Sequence, residues 1–388
     1  LAPDSLDVYV VIQVWISVDF SQKLLPYFRD YCLTVLRIIA NTCIKRTGHD
    51  KHQVHYMYCT ENVDQYIEYI NSLNTTWKAG KNFENGFRPV LGVLPRTTPM
   101  VSDAHPIYDT NIEIPESFDS LKQWSDCITI KQIRDQGCCG SCFAFGTTGM
   151  ISDRICILSK GKQQVEVSAE EALACSIGGT CKYGGRPDEV YHYYIENGLV
   201  SGGPVGAKTG CQPYTINPGN PCVESAPTPE CPKACIPGYN RTFTLDKHFG
   251  KSWHKVPVFY AELDIMTYGP IVAEFDVRIN CQHGQIVYYL LDLILLRWEY
   301  SVYDNYCRLV YDDFYHYKSG VYDPLITAKF VGRHLAKVVG WGVENGARFW
   351  LAANSWGTVF GEQGYFKIKR GDSVAAFEEA MSAVLPKL

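Results

Sequence analysis

Three cysteines fall within five positions of the segment DQGCCGSCFAFG, which runs from Asp135 to Gly146. The apolar run that follows has helical spacing, so we predict a long buried helix with Ser141 as its N-cap and Cys142 in its first turn. Unpaired backbone N–H groups and the helix dipole stabilise a thiolate there. The pattern predicts that the pKa of Cys142 is lowered and that its thiol is nucleophilic.

A nucleophilic thiol needs a base that is held in one orientation. Downstream, the β-type segments VGRHLAKVVGWG and FWLAANSWG supply His334 and Asn354. Taken singly, each residue has a structural explanation that is at least as good as a catalytic one: Cys142 as a buried thiol, His334 as a core histidine and Asn354 as a turn residue. The three together, in this order, favour chemistry.

The bulk composition describes a globular chain and excludes several partners. The chain has 388 residues, of which 46% are hydrophobic and 20% charged, typical of two or three packed domains. A net charge of -5 without a run of Lys and Arg argues against nucleic acid as a partner. No stretch reaches the roughly 18 apolar residues that a membrane span needs.

Cysteine usage indicates an oxidising compartment. The chain has 16 cysteines, and most fall within residues 127–235, among Gly and Pro turns. This favours disulfides. Glycosylation sequons at Asn74 and Asn240 agree with a secretory route. We therefore expect a lysosomal or secreted glycoprotein.

Helical patterns precede β-type patterns along the chain. Residues 1–61 form an N-terminal extension to which we assign no structure. Helical spacing begins at Val63, prolines make 88–115 an extended linker, and Ser168 with Glu171 predicts a capping box at a second helix. The β-type runs come later, and they read PIVAEFDV, AKVVGWGV, RFWLAANSW and GYFKIKRG.

Several motifs resemble the papain-like cysteine proteases, peptidase family C1. These are QGCCGSCFAF, GRHLAKVVGWG and NSWG. Within that family, IPESFDS, ISDRICI, GLVSGG, GWGVENG and the prosegment motif NTTWKAGKNF resemble the cathepsin B-like branch. The resemblance spans residues 62–388.

The resemblance implies an α+β, papain-like fold of two domains with an N-terminal prosegment. It places the propeptide at 62–113 and the protease domain at 114–388, with a helical left domain at about 114–250 and a β-barrel-like right domain at about 251–388. The implied activity is peptide-bond hydrolysis in an acidic lumen, without a cofactor or metal. The implied partners are peptide or protein substrates, the chain's own propeptide as inhibitor, and cystatin-type inhibitors.

The resemblance also implies the catalytic roles. Cys142 is the expected nucleophile, and His334 the general base and acid. Asn354 is expected to orient the imidazole. Gln136 is expected to stabilise the oxyanion through its side-chain amide, together with the backbone N–H of Cys142.

The implied substrate-binding residues are Gly184, Gly185, Trp356 and Ala380. The two glycines would let an extended substrate approach the backbone of the cleft, and Trp356 would shield the histidine–asparagine hydrogen bond. Ala380 falls where the family has an acidic residue at the bottom of its S2 pocket. An apolar P2 side chain is therefore expected, unless the neighbouring Glu379 takes over.

The resemblance implies four disulfides: Cys127 with Cys156, Cys139 with Cys181, Cys175 with Cys231, and Cys211 with Cys235. Cys138 and Cys222 are expected to lack partners. A zinc site at Cys231 and Cys235 is an alternative that their spacing allows.

Departures from the family leave alternatives open. The stretch 214–231 lacks the paired histidines of cathepsin B, so we expect endopeptidase rather than exopeptidase activity. Arg333 stands where the family has a glycine before the catalytic histidine, and could distort the strand. A catalytically impaired homologue that binds peptides or inhibitors is therefore the alternative function, and a non-enzymatic disulfide scaffold is a third.

An anomalous insertion occupies residues 278–310. It is rich in Tyr and Leu and carries two cysteines. It represents either a retained intron or gene-model error, or a surface insertion, and sequencing the transcript distinguishes these.

Overall fold

The computed structural model describes residues 63–83, 89–95, 106–217, 222, 224–277, 313–325 and 331–388. The extension at 1–61 and the insertion at 278–310 lie outside the described residues, so both stay predictions. Within the described ranges, no helix has the length and apolar character needed to cross a membrane.

Helices dominate the first half of the described chain. The α-helices are α1 (Val63–Ser72), α2 (Ser120–Gln123), α3 (Cys142–Leu158), α4 (Ala169–Cys175), α5 (Pro187–Glu196) and α6 (Ala261–Tyr268). Short 3-10 helices lie at Ile128–Lys131, Val258–Tyr260, Asp313–His316 and Val374–Ala376. The helix predicted from Val63 onward is confirmed as α1.

Strands dominate the second half. In chain order, the strands of the described residues are β1 (Trp77–Ala79), β2 (Phe118–Asp119), β3 (Phe249–Lys255), β4 (Ile271–Val277), β5 (Tyr317–Tyr322), β6 (Gly332–Glu344), β7 (Ala347–Ala353), β8 (Tyr365–Lys369) and β9 (Ala380–Lys387). The four predicted β-type runs correspond to β4, β6, β7 and β8.

One mixed sheet carries all nine of these strands. Its order is β1-β5-β8-β7-β6-β4-β9-β3, with β2 paired to β6. The β5–β8 pair is parallel, whereas β6 runs antiparallel to both β4 and β7. The predicted α+β fold is confirmed, and β1 joins the propeptide region to the sheet edge at β5.

Helix α3 is the central helix of the core. Every residue from Cys142 to Cys156 is buried, which is typical of a helix surrounded by protein. Ser141 occupies the predicted N-cap position, but its hydroxyl bonds to the Tyr214 hydroxyl at 2.9 Å instead of capping the helix. Tyr214 in turn donates to the Gln136 carbonyl at 2.9 Å, so tertiary contacts hold the helix start.

The predicted capping box at α4 is half formed. The Ser168 hydroxyl accepts the Glu171 N–H at 3.1 Å and caps the helix. The Glu171 carboxylate does not reach back to Ser168, because it accepts the Val200 N–H at 2.8 Å and pairs with Lys247.

Buried ion pairs connect α3 to the second half of the chain. Arg154 pairs with Asp264 of α6, and both side chains have 0% exposure. His254 of β3 contacts the same carboxylate at 2.6 Å. Burial acts to raise the pKa of Asp264, but Arg154 and His254 more than offset this and lower it to about 2. The stability that this depressed pKa contributes is present above the unfolded-state value of about 3.9. It is lost as pH falls through about 2, so the pair stays ionised in a mildly acidic lumen.

We expect Arg154→Met to destabilise the protein by about 3–5 kcal/mol, because it leaves a buried carboxylate without its main cation. Urea unfolding of the full chain measures the loss. Lys122→Met is the matched control, since Lys122 forms an ion pair with Asp119 at 3.4 Å but is 85% exposed, and it should change stability little. Equal midpoints for the two variants would contradict the role given to the Arg154 pair.

Candidate active site

Strands β6 and β7 bring His334 and Asn354 together. His334 lies on β6, and Asn354 follows the end of β7. The His334 Nε2 is 2.7 Å from the Asn354 Oδ1, which also accepts the Ser355 N–H at 2.7 Å. Because Oδ1 is thus the acceptor, Nε2 carries the ring hydrogen and Nδ1 of the neutral ring can accept a proton.

Aromatic rings enclose the imidazole. The Trp356 ring centroid lies 4.6 Å from that of His334, and Phe275 meets the ring edge-on at 5.5 Å. Burial lowers the pKa of His334 to about 4, with the Asn354 hydrogen bond acting in the opposite direction. Within the described residues, Nδ1 has no hydrogen-bond partner.

Cys142 lies beside the histidine strand. Its sulfur accepts backbone hydrogen bonds from Leu335, which follows His334, and from Gly92 of the propeptide. Burial raises the pKa of the Cys142 thiol to about 12, although these backbone bonds oppose the shift. The expected lowered pKa is therefore wrong for this covered state, because 0% of the cysteine is exposed and desolvation exceeds the helix dipole. Among the described cysteines, it alone is outside a disulfide.

The propeptide crosses the cleft as an extended segment. The Val93 N–H donates to the Arg333 carbonyl on β6 at 3.2 Å, and the Leu94 N–H donates to the Gly185 carbonyl at 3.0 Å. The Gly185 N–H donates to the Gly92 carbonyl at 3.1 Å. Residues 92–94 therefore bridge both walls of the cleft.

Glycines allow this close approach. A Cβ at Gly92 would lie 1.8 Å from the Gly140 carbonyl oxygen. Gly184 has a φ of +86°, and a Cβ there would lie 2.3 Å from the Gly92 carbonyl. A Cβ at Gly185 would lie 2.5 Å from the Phe143 ring. The lack of a side chain at Gly184 lets the propeptide backbone lie in the cleft, and the lack of one at Gly185 leaves room for the buried Phe143 ring.

Gln136 presents its amide to the same segment. Its Nε2 donates to the carbonyls of Val90 at 2.7 Å and Cys139 at 2.6 Å. Its Oε1 accepts the Ser355 hydroxyl at 2.7 Å, so the orientation of the amide is determined. A propeptide carbonyl therefore occupies the donor that is expected to bind the oxyanion.

The structure joins each of the four cysteine pairs that the resemblance implies. It also joins Cys138 to Cys222, so the expectation that these two lack partners is wrong. The zinc alternative is wrong too, because Cys231 and Cys235 each belong to a disulfide. Across the described ranges, no group of His, Cys, Asp and Glu side chains could hold a metal ion.

Arg333 does not interrupt the strand before the histidine. Strand β6 runs unbroken from Gly332 to Glu344, and Arg333 pairs in register with Asp276 of β4. Successive side chains of a strand point to opposite faces, so Arg333 and His334 diverge. The expected distortion is absent, and the histidine–asparagine bond is intact.

Ala380 lies opposite a residue that sequence reasoning missed. The register pairs it with Glu274 of β4, and Glu274 is only 5% exposed. The signal was present in the sequence, because this glutamate is a single acidic residue inside the apolar run PIVAEF.

Comparisons with known proteins agree with this geometry. The model of the papain family cysteine proteases matches residues 114–289 and 305–385, and that of the peptidase family C1 propeptide matches 63–97. The unmatched stretch between the two protease segments falls within the insertion at 278–310.

Relatives are similar over most of their length. Cathepsin B-like cysteine proteinase 3 of Caenorhabditis elegans is 36% identical over 342 residues, which are 83% of this chain and 82% of the relative. The gut-specific cysteine proteinase of the same organism is 41% identical over 278 residues, 70% of this chain and 73% of the relative.

A solved zymogen has the same architecture. The structure of proCathepsin B S9 from Trypanosoma congolense is 30% identical, with a TM-score of 0.64, and the match covers 84% of this chain and 98% of that one. This chain therefore belongs to the papain family of cysteine proteases, as a cathepsin B-like cysteine proteinase that carries its propeptide.

Proposed function

We propose that this cysteine proteinase cleaves peptide bonds through Cys142, His334 and Asn354. The observation that carries the proposal is the buried 2.7 Å hydrogen bond between the His334 Nε2 and the Asn354 Oδ1. This hydrogen bond leaves Nδ1 of the imidazole as the proton acceptor. His334 directly precedes Leu335 on β6, and the Leu335 N–H donates a hydrogen bond to the Cys142 sulfur.

Acylation begins when the Cys142 thiol gives its proton to the His334 Nδ1 and the sulfur attacks the scissile carbonyl carbon. The carbonyl electron pair moves onto oxygen. When the intermediate collapses, the imidazolium protonates the leaving amine, the C–N bond breaks and a thioester remains.

Deacylation uses water in the same way. His334 accepts a proton from the attacking water, the C–S bond breaks, and the proton returns to the Cys142 sulfur. Through both stages Asn354 holds the ring in one tautomer, and Trp356 covers their hydrogen bond.

Gln136 is the proposed oxyanion donor. Its Nε2 already donates to a main-chain carbonyl, that of Val90, at 2.7 Å, and a tetrahedral intermediate would present a negative oxygen to the same group. Such a donor stabilises the transition state more than the ground state.

Gln136→Ala should lower kcat about 100- to 1,000-fold, because the oxyanion loses its side-chain donor. Peptidase assays of the activated protein check this. Gln163→Ala, which truncates an exposed glutamine, is the matched control and should keep full activity. A Gln136→Ala enzyme as active as this control would rule out the donor role.

The propeptide acts as the inhibitor of its own protease domain. While residues 89–95 fill the cleft, Cys142 and His334 are both fully buried, and burial disfavours the charged form of each. Removal of this segment admits water, so the pKa of the thiol should fall and that of the imidazole should rise. Activation therefore creates the reactive pair.

The cleft is proposed to favour endopeptidase cleavage of peptide or protein substrates. The support is chemical, since the stretch 214–231 contains no histidine to hold a substrate C-terminal carboxylate. A secretory location, lysosomal or secreted, is supported by the disulfides and by the exposed positions of Asn74 and Asn240.

Labelling of the thiol tests the enzyme against the impaired-homologue alternative. After removal of the propeptide, an epoxide or vinyl-sulfone label for thiol proteases should modify Cys142 stoichiometrically, and His334→Ala should abolish the modification. Cleavage of a peptide library by unlabelled protein from the same preparation then shows whether the enzyme acts as an endopeptidase or an exopeptidase. An activated protein that binds peptides but is not labelled would favour the impaired homologue.

A further inference from the structure

A tyrosine that precedes the protease domain is held in a pocket on helix α6. The Tyr108 hydroxyl donates to the Asp264 Oδ2 at 2.8 Å. The Tyr108 ring stacks on Tyr260 with ring centroids 4.7 Å apart, and it meets Tyr268 edge-on at 6.4 Å. The Tyr268 hydroxyl donates to the main-chain carbonyl of Ile107 at 3.3 Å. This tyrosine pocket, formed by Tyr260, Asp264 and Tyr268, therefore contacts both a side chain and the backbone before it.

The buried network behind Asp264 fixes the hydrogen-bond acceptor of the pocket. The Asp264 Oδ1 pairs with Arg154, and the Oδ2 lies 2.6 Å from the His254 Nε2. Each carboxylate oxygen has two lone pairs, so the Oδ2 accepts the phenol in addition to the histidine contact. Burial and the negative charge of Asp264 raise the pKa of Tyr108, so the donor stays protonated.

The pocket belongs to the protease domain, whereas its occupant precedes that domain. The match to the papain family begins at residue 114, and the expected propeptide ends at residue 113. Activation at this boundary removes Tyr108 but leaves Arg154 and His254 to hold the Asp264 carboxylate. The activated enzyme then presents an acceptor that has lost its phenol donor.

The pocket lies outside the catalytic cleft. Arg154, the partner of Asp264, is on the same helix as Cys142, roughly 18 Å away along the helix axis at about 1.5 Å per residue. An extended chain of about six residues spans that length. A substrate must therefore be longer than the segment that fills the cleft to reach both places.

We propose that the tyrosine pocket is an exosite of the activated proteinase that binds a tyrosine side chain of a polypeptide substrate. The inference rests on the proposed peptidase function and adds a second substrate contact to it. A phenol fits the pocket because it stacks on Tyr260 while its O–H donates to Asp264. A phenylalanine would cover the same carboxylate without offering a donor, which costs affinity.

A peptide of residues 106–113, PIYDTNIE, tests the pocket directly. It carries a fluorophore and is titrated into activated enzyme whose thiol has been blocked, with anisotropy as the readout of Kd. Tyr108→Phe in the peptide should weaken binding about 10- to 100-fold, because a charged acceptor loses its hydrogen bond. Ile107→Ala is the matched control, since Ile107 is 90% exposed, and it should bind like the original peptide. Equal affinity of the Tyr108 and Phe peptides, or no binding of either, would overturn the proposal.

A substitution in the enzyme tests the other side of the contact. Tyr260→Ala removes the stacked ring and should weaken peptide binding at least about tenfold. Ile177→Ala, which truncates an apolar residue that is 80% exposed, should leave the Kd unchanged. The peptide variants do not alter the enzyme, so they decide the question if Tyr260→Ala fails to fold.

Competition by the unlabelled peptide separates an exosite from the cleft. The peptide should lower kcat/KM for denatured casein several-fold and leave kcat/KM for a fluorogenic dipeptide unchanged, because the dipeptide fills only the cleft. Equal inhibition of the two substrates would place the peptide in the cleft, and no inhibition of casein cleavage would exclude a substrate contact. Activated enzyme that retains Tyr108 in N-terminal sequencing would fill the pocket itself. Each of these three results overturns the proposal.

Thiol labelling separates this inference from the proposed function. Activated protein that is labelled at Cys142 but does not bind the peptide overturns the inference alone. Activated protein that cannot be labelled overturns the proposed function, and with it the substrate role of the pocket.

Discussion

Cys142→Ala is expected to lower kcat/KM of the activated protein at least about ten-thousand-fold, because the thioester needs a free thiol and Cys142 is the one cysteine of the described residues outside a disulfide. His334→Ala should cause a loss of similar size, since the thiol proton then has no acceptor. The double variant should be no worse than either single one, because the two residues act as one unit. Cleavage of a fluorogenic peptide, normalised to folded protein, measures all three.

Asn354→Ala provides an internal comparison. It removes the 2.7 Å bond that orients the ring but leaves nucleophile and base in place, so its loss should be smaller than that of His334→Ala. Circular dichroism of each zymogen checks that the fold is retained. Activity within tenfold of wild type in either Cys142→Ala or His334→Ala would show that another group performs the chemistry.

Gly92→Val should remove the latency of the zymogen. An added Cβ would lie 1.8 Å from the Gly140 oxygen and 2.2 Å from its carbonyl carbon, both backbone atoms that cannot move aside. The propeptide must then leave the cleft, water must enter, and the pKa of the Cys142 thiol must fall from about 12. Since the thiolate is the reacting form, alkylation of Cys142 at neutral pH should become at least about 100-fold faster.

Gly80→Val is the matched control for this prediction. Gly80 lies in the same propeptide, but a Cβ there would meet only the flexible Lys318 side chain, at 3.0 Å. Its zymogen should be alkylated as slowly as wild type. Slow alkylation of Gly92→Val as well would mean that the close packing over the thiol does not protect it.

Local sequence patterns located some of the helices and strands and singled out the candidate site residues. Hydrophobic spacing located α1 and the strands β4, β6, β7 and β8, because the period of apolar residues reports directly which face is buried. The motifs around Cys142, His334 and Asn354 indicated the papain family, and the fold then follows. The resemblance also implied four of the disulfides that the structure contains.

Long-range geometry decided the properties that spacing cannot report. The pairing of Cys138 with Cys222 spans 84 residues, and the partner of the Ser141 hydroxyl, Tyr214, is 73 residues away. Both contacts depend on which loops come together in the folded protein, and a local sequence motif contains no information about such contacts.

The sequence by itself indicated which residue types form the candidate site: a thiol at a helix start, a histidine and an amide. Only the tertiary structure decided their state. It buries Cys142 and His334 under Gly92, which shifts both pKa values toward the neutral forms, and it sets Glu274 opposite Ala380 through the register of two strands. The physical reason is that burial and cross-strand pairing are made by chain segments far apart in sequence, and desolvation and charge act through space.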